Sequence, residues 1–228
     1  MNDLGVGATL ARERLRGAAL PLVLALSGCV VYALAALERR ASGSGAADSA
    51  LEGPVFGLAL PILAYLLIER ACDAQRLDRS VDTVARYGAD RRAVMLGVLL
   101  TSAAWMAIAS ALLTALALLG AHSLHDSDLA RDLRSSVGIA LVSGAVYALW
   151  FGAASLIGKR GGGRKWALIL DFVLGAGSSA LAAPWPRAHA RNLLGGAPVL
   201  EMSQGGAWLA LIVIGVASVA LSVRRTSS

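Results

Sequence analysis

The stretch Glu69–Gly97, ERACDAQRLDRSVDTVARYGADRRAVMLG, is the longest strongly polar run in the chain and lies between two apolar segments. It carries six arginines: Arg70, Arg76, Arg79, Arg86, Arg91 and Arg92. Val81, Val84, Ala85 and Tyr87 recur at roughly helical spacing, which predicts a short amphipathic helix from about Asp78 to Tyr87. Gly88 ends it, because glycine takes the left-handed conformation of a helix C-terminus without steric cost. Such a run is either a solvated loop between two membrane helices or a docking helix for a soluble partner. The flanks decide.

Ala93–Gly120 follows with 28 uncharged residues, long enough to cross a bilayer with tilt. Gly53–Ile68 precedes it with only 16 and contains Pro61. It crosses if the helix begins before Pro54 and if Glu69 and Arg70 extend to the interface. Further out, Ala18–Leu37 gives 20 residues without a charge, about 30 Å of helix and so one hydrocarbon thickness. That run exceeds the apolar core of a signal peptide and is read as a retained span. Leu4–Arg16 places Leu4, Ala8, Ala11 and Leu15 together, a weakly amphipathic helix suited to the membrane surface. Beyond the centre, Val137–Gly158, Trp166–Ala183 and Ala207–Val223 complete six expected spans. The segment PWPRAHARNLLGGAPVLEMSQGG (Pro184–Gly206) is expected to form a bent helical pair dipping into the outer leaflet.

Composition agrees. The 228 residues are 57% hydrophobic and 16% charged, with a mean hydropathy of +0.65, against about 25% charged in ordinary globular domains. The net charge of +6 does not indicate nucleic acid, because the arginines sit at the ends of apolar segments. With six crossings, fifteen basic residues fall on one side, the Glu69–Gly97 stretch among them, and six on the other. The positive-inside rule then places both termini in the cytoplasm. The expected fold is thus an all-α integral membrane protein, one transmembrane domain over residues 1–228. Its expected spans are 18–37, 53–69, 93–120, 137–158, 166–183 and 207–223. Cys29 and Cys72 should lie at different depths and stay unpaired.

Catalytic chemistry is sparse. GKRGGGRK (Gly158–Lys165) lacks the spacing and the preceding strand of a phosphate-binding loop, so ATP is not expected on this chain. His122, His125, Asp126 and Asp128 suffice in number for a metal, but their spacing fixes no tetrahedral site. Asp171 is the one acid well inside a span, about 7.5 Å in from Trp166. It is either a proton or substrate site, or an inward-facing acid paired with a cytoplasmic-end arginine or a backbone group. Ser143, Gly144, Ala148 and Gly152 form a small-residue row on one span, and Gly175, Ser179 and Ala183 on the next, which favours close helix packing.

Six spans with cytoplasmic ends, an amphipathic start and a basic helix between the second and third spans resemble the permease subunit of ABC-2-type exporters. The likeness in sequence is concentrated in VDTVARYGADRRAVMLG (Val81–Gly97), which resembles the coupling helix and third-span entry of such permeases. Pro184–Gly206 is similar in place to their extracellular helical hairpin between the fifth and sixth spans. The second span is short for the family, and the extracellular loops are too small to hold a domain. The resemblance implies a non-catalytic half-transporter in a bacterial inner membrane, paired with a second permease subunit, identical or related. ATPase subunits on other chains would carry ATP and Mg and dock on Val81, Val84, Arg86, Tyr87, Arg91 and Arg92. Two alternatives stay open. One is a membrane-embedded enzyme using Asp171 or the His122/His125 loop. The other is a non-transporting scaffold whose basic loop binds anionic lipid or a regulator.

Overall fold

Inside a bilayer every backbone polar group must be satisfied within the protein, and helix does this most simply. All regular structure among the described residues is helical. The computed structural model describes residues 2–17, 19–42, 45–122 and 128–225. Helix α1 (Asp3–Leu15) precedes α2 (Ala19–Ser42), α3 (Ala46–Ala71), the short helices α4 (Leu77–Ser80) and α5 (Asp82–Ala85), and the long α6 (Arg91–Ala121). Then come α7 (Leu129–Ala154), α8 (Gly163–Leu174), α9 (Pro186–Leu193) and α10 (Gln204–Arg225). Five of these, α2, α3, α6, α7 and α10, are long and apolar enough to cross a membrane.

Helix α3 meets the first of the two conditions that its short apolar run imposed, since it begins at Ala46, ahead of Pro54. Proline cannot donate the helical hydrogen bond, and Leu51–Ala59 widens into π-helix around it. Helix α6, at 31 residues, is about 46 Å long and serves as the spine against which α1, α2, α3 and α7 pack. Asp90 caps its start, accepting from the Arg92 and Ala93 N–H groups at 3.2 and 3.4 Å. The closest pairing is α6 with α7. A side chain at Gly144 would collide with Ser110 and the Met106 carbonyl, and Ser110 Oγ donates across the seam to the Ala140 carbonyl at 2.7 Å.

Helix α1 lies against the first turns of α6. Its buried row is Gly7, Ala11 and Leu15, while Leu4 is exposed, so the row is shifted from the expected apolar face. Gly7 meets the Val94 carbonyl and Gly97 meets the Leu4 carbonyl so closely that neither position has room for a methyl group.

The fifth apolar run departs most from expectation. Helix α8 ends at Leu174, and its 12 residues cover about 18 Å, too little to cross alone. Gly175, Gly177, Ser178 and Ser179 follow, and the chain to Trp185 is irregular apart from one 3₁₀ turn at Ala180–Ala182. In the next segment the expected helical pair is one helix, α9, followed by a single 3₁₀ turn at Val199–Glu201. Helix α7 begins at Leu129, ahead of the expected Val137.

The two ends of the bundle differ in charge. At one end, Arg14 donates to the Ala71 and Ser80 carbonyls at 2.7 Å each, Arg164 to the Ile68 carbonyl and Arg225 to the Leu156 carbonyl, both at 3.3 Å. At the other, Arg39 donates to the His122 carbonyl at 2.9 Å, and His122 Nε2 lies 3.0 Å from Asp132.

Candidate functional sites

At the basic end the expected single helix is two. Val81 interrupts it with φ −104° and ψ −3°. The cause is packing, because Leu77 and Val81 are both fully buried and draw the chain inward between α4 and α5. Arg91 spans both short helices, pairing with Asp82 at 2.6 Å and donating to the Asp78 carbonyl at 2.9 Å. Arg76 holds Asp78 with two parallel hydrogen bonds of 2.9 and 2.8 Å. Burial works to raise the Asp78 carboxyl, but Arg76, the Arg79 N–H and Arg91 together hold it below the ordinary value. Beneath this unit Cys72 is buried, and burial pushes its thiol up to about 11 against the pull of Arg164 and Arg14. Both cysteines are unpaired, Cys29 on the outside of α2 and Cys72 in the core.

The six residues singled out for docking therefore separate. Val81 points into this chain's own core, and Arg91 is engaged within the unit. Val84 is half-buried against that core. Arg86 and Arg92 are exposed, and Tyr87 is 89% exposed just before the turn at Gly88, whose φ is +92°. Arg14 and Arg76 had no signal of their own in the sequence, where they are two basic residues among many.

The second site is inside the bundle. Asp171, on α8, is fully buried. Its partner is not an arginine of the basic end but Tyr147 on α7, whose hydroxyl donates to Asp171 Oδ2 at 2.9 Å. Tyr147 is fully buried as well. Among the described residues Asp171 Oδ1 has no hydrogen-bond partner of good geometry. The Tyr147 hydroxyl thus supplies the one side-chain hydrogen bond that the carboxyl receives among the described residues. Next to the pair, Trp150 stacks edge-on against Trp185 at 5.3 Å, and with Trp166 and Leu170 they line an apolar groove of about 500 Å³ between α7, α8 and α10.

Helix α9 holds the irregular chain around it through its polar side chains. Arg187 donates to the Phe172 carbonyl at 3.4 Å and stacks over the Phe172 ring at 5.4 Å. Arg191 donates to the carbonyls of Ala176, Gly177 (2.9 Å) and Ala197 (3.2 Å), and lies 3.9 Å from Glu52 on α3. His189 Nε2 lies 2.7 Å from the Ala183 carbonyl, and Asn192 donates to the Met202 carbonyl at 2.9 Å. The sequence motif PRAHARNL is thus a spool on which chain without regular structure is wound.

His122 sits against Asp132, and His125 and Asp126 lie outside the described residues. Among the described residues no three His, Cys, Asp or Glu side chains gather as a metal site would require. No protein-family model matches the chain, and no curated protein matches it.

Proposed function

We propose that this chain is the membrane subunit of an ATP-driven exporter of the ABC-2 type, one of two permease subunits enclosing a pathway, in a bacterial cytoplasmic membrane. One observation carries the reading. The α4–α5 unit is fixed to α1, α3 and α6 through Arg14 and Arg91, yet it leaves Tyr87 open to solvent between exposed Arg86 and Arg92. An open aromatic anchor with basic residues around it, on a rigid mount, suits the groove of a soluble partner. In this reading the partner is an ATPase subunit that carries ATP and Mg, and its movement reaches α6 through Arg91. Val81 and Arg91 then act as the mount, and Tyr87, Arg86, Arg92 and the open side of Val84 as the contact.

In the same reading the basic end faces the cytoplasm, both termini lie there, and α8, the irregular chain and α9 together make the fifth crossing, with α10 the sixth. Two experiments test it. A photo-crosslinking amino acid at position 87, in native membranes, should capture a chain with a nucleotide-binding motif. Capture of lipid alone would leave the α4–α5 unit as a solvated turn and sink the docking surface. In a background lacking Cys29 and Cys72, Ser135→Cys should react with an impermeant thiol reagent from outside and Thr83→Cys only after lysis. The reverse order would invert the topology.

A further inference from the structure

The Asp171–Tyr147 pair plays no part in the docking surface, and its geometry raises a separate question: what balances a carboxyl group so placed. Asp171 lies in the last turn of α8, where the carbonyl ends of the helix already make the surroundings negative. Tyr147 on α7 supplies one hydrogen bond, to Oδ2. From α9, Arg187 acts on the carboxyl through space and through its backbone N–H, but its guanidinium is engaged by the Phe172 carbonyl and ring. Of the charged groups of α3, which also packs on α8, Asp48 lines a separate pocket with Asp132, and the other three have partners of their own. Glu52 lies by Arg191, Glu69 bonds with Tyr65, and Arg70 donates to the Arg14 carbonyl. An ionised Asp171 would draw the neighbouring guanidinium onto Oδ1, since removing a buried charge from its partner is costly. The guanidinium is on Phe172 instead, and Oδ1 stands without a hydrogen bond.

We propose that Asp171 carries a proton in this conformation, which makes the Asp171–Tyr147 pair a proton-binding site inside the bundle. The ligand is the proton itself, and the site is built from one carboxyl, one phenol and the negative end of α8. Loss of the proton would leave a bare charge with Arg187 the one cation in reach among the described residues, so Arg187 would leave Phe172 for Asp171 and release the start of α9 from the end of α8. Proton occupancy is thereby linked to how the irregular fifth segment is held. This inference does not depend on the exporter reading, because it concerns the charge state of the chain by itself.

The test is infrared difference spectroscopy on the full chain in lipid at neutral pH, with and without aspartate carrying ¹³C at the side-chain carboxyl. A protonated aspartic acid gives a carbonyl stretch well separated from that of carboxylates, and the label moves only aspartate bands. The expected result is one label-sensitive carboxylic-acid band in the wild type, lost in Asp171→Asn and shifted in frequency in Tyr147→Phe, which removes the donor. Absence of such a band in the wild type, or its persistence unchanged in Asp171→Asn, would overturn the proposal, and so would a sodium-occupied carboxylate, which gives no acid band. If Asp171→Asn fails to insert, Tyr147→Phe decides alone: a shifted band supports the site, and an unshifted one rejects it.

Discussion

The α6–α7 seam and the chain from Gly175 to Met202 solve one problem in opposite ways. Both must satisfy their backbone polar groups. Along α6 and α7 the helices do it themselves, and small residues such as Gly144 let them approach until a side-chain hydroxyl, Ser110, bridges to the facing backbone. From Gly175 to Met202 the backbone has only fragments of helix, and the side chains of α9 supply the missing donors, with two guanidinium groups doing most of it. The seam is therefore robust to the loss of any one bond, whereas the wound segment depends on single side chains.

Replacing Arg191 by alanine should expose this difference most. It removes the donor from carbonyls at Ala176, Gly177 and Ala197 together, and at about 0.5–1.5 kcal/mol net per hydrogen bond the loss should reach roughly 3 kcal/mol. Thermal unfolding in detergent should show a large drop, and proteolysis should open first between Gly175 and Met202. Gly144→Val attacks the seam by forcing α6 and α7 apart, and overpacking of this kind costs typically 1–3 kcal/mol. Its loss should be global, with no new cleavage site. Ser110→Ala removes one bond from the seam and should cost only about 0.6 kcal/mol, the average for such bonds between membrane helices. Equal losses for Ser110→Ala and Arg191→Ala would erase the distinction.

The smallest effect is at the basic end. Asp78 is held below its ordinary value in the folded chain, so its ion pair contributes fully above the unfolded value of about 3.9 and is lost as pH falls through the folded value. Acid should therefore loosen α4 before the spans, seen as faster hydrogen exchange at Leu77–Ser80. Asp78→Asn should remove that acid step while leaving the spans unchanged.

Much of the architecture was readable because a span needs only length and freedom from charge, and Ala93–Gly120 and Ala207–Val223 have both. The start of α7 was missed since Arg131, Asp132 and Arg134 look like loop when only the apolar run is counted, although a helix can continue beyond the lipid. The end of α8 was written in Gly175, Gly177, Ser178 and Ser179, but Leu181 and the alanines beside it kept the run apolar and concealed the break. Periodicity placed Val81, Val84 and Tyr87 on one stripe, yet it carries no information on which end of a stripe faces home. Packing resolved that by burying Val81 and exposing Tyr87. Tyr147 and Asp171 are 24 residues apart on different helices, so no local pattern could join them.

The contact between α1 and α6 has a consequence for synthesis. The Asp90 N–H donates to Asp3 Oδ2 at 2.9 Å, joining residues 87 positions apart. At about 5–20 residues per second, a ribosome takes roughly 4–17 s to make the chain between them. Throughout that interval α1 has no Val94 or Gly97 to pack against. It cannot take up this packing while α2 and α3 are being made. Docking of α1 then reports that the first turns of α6 have arrived, so α1, made before α2 and α3, finds its place after them.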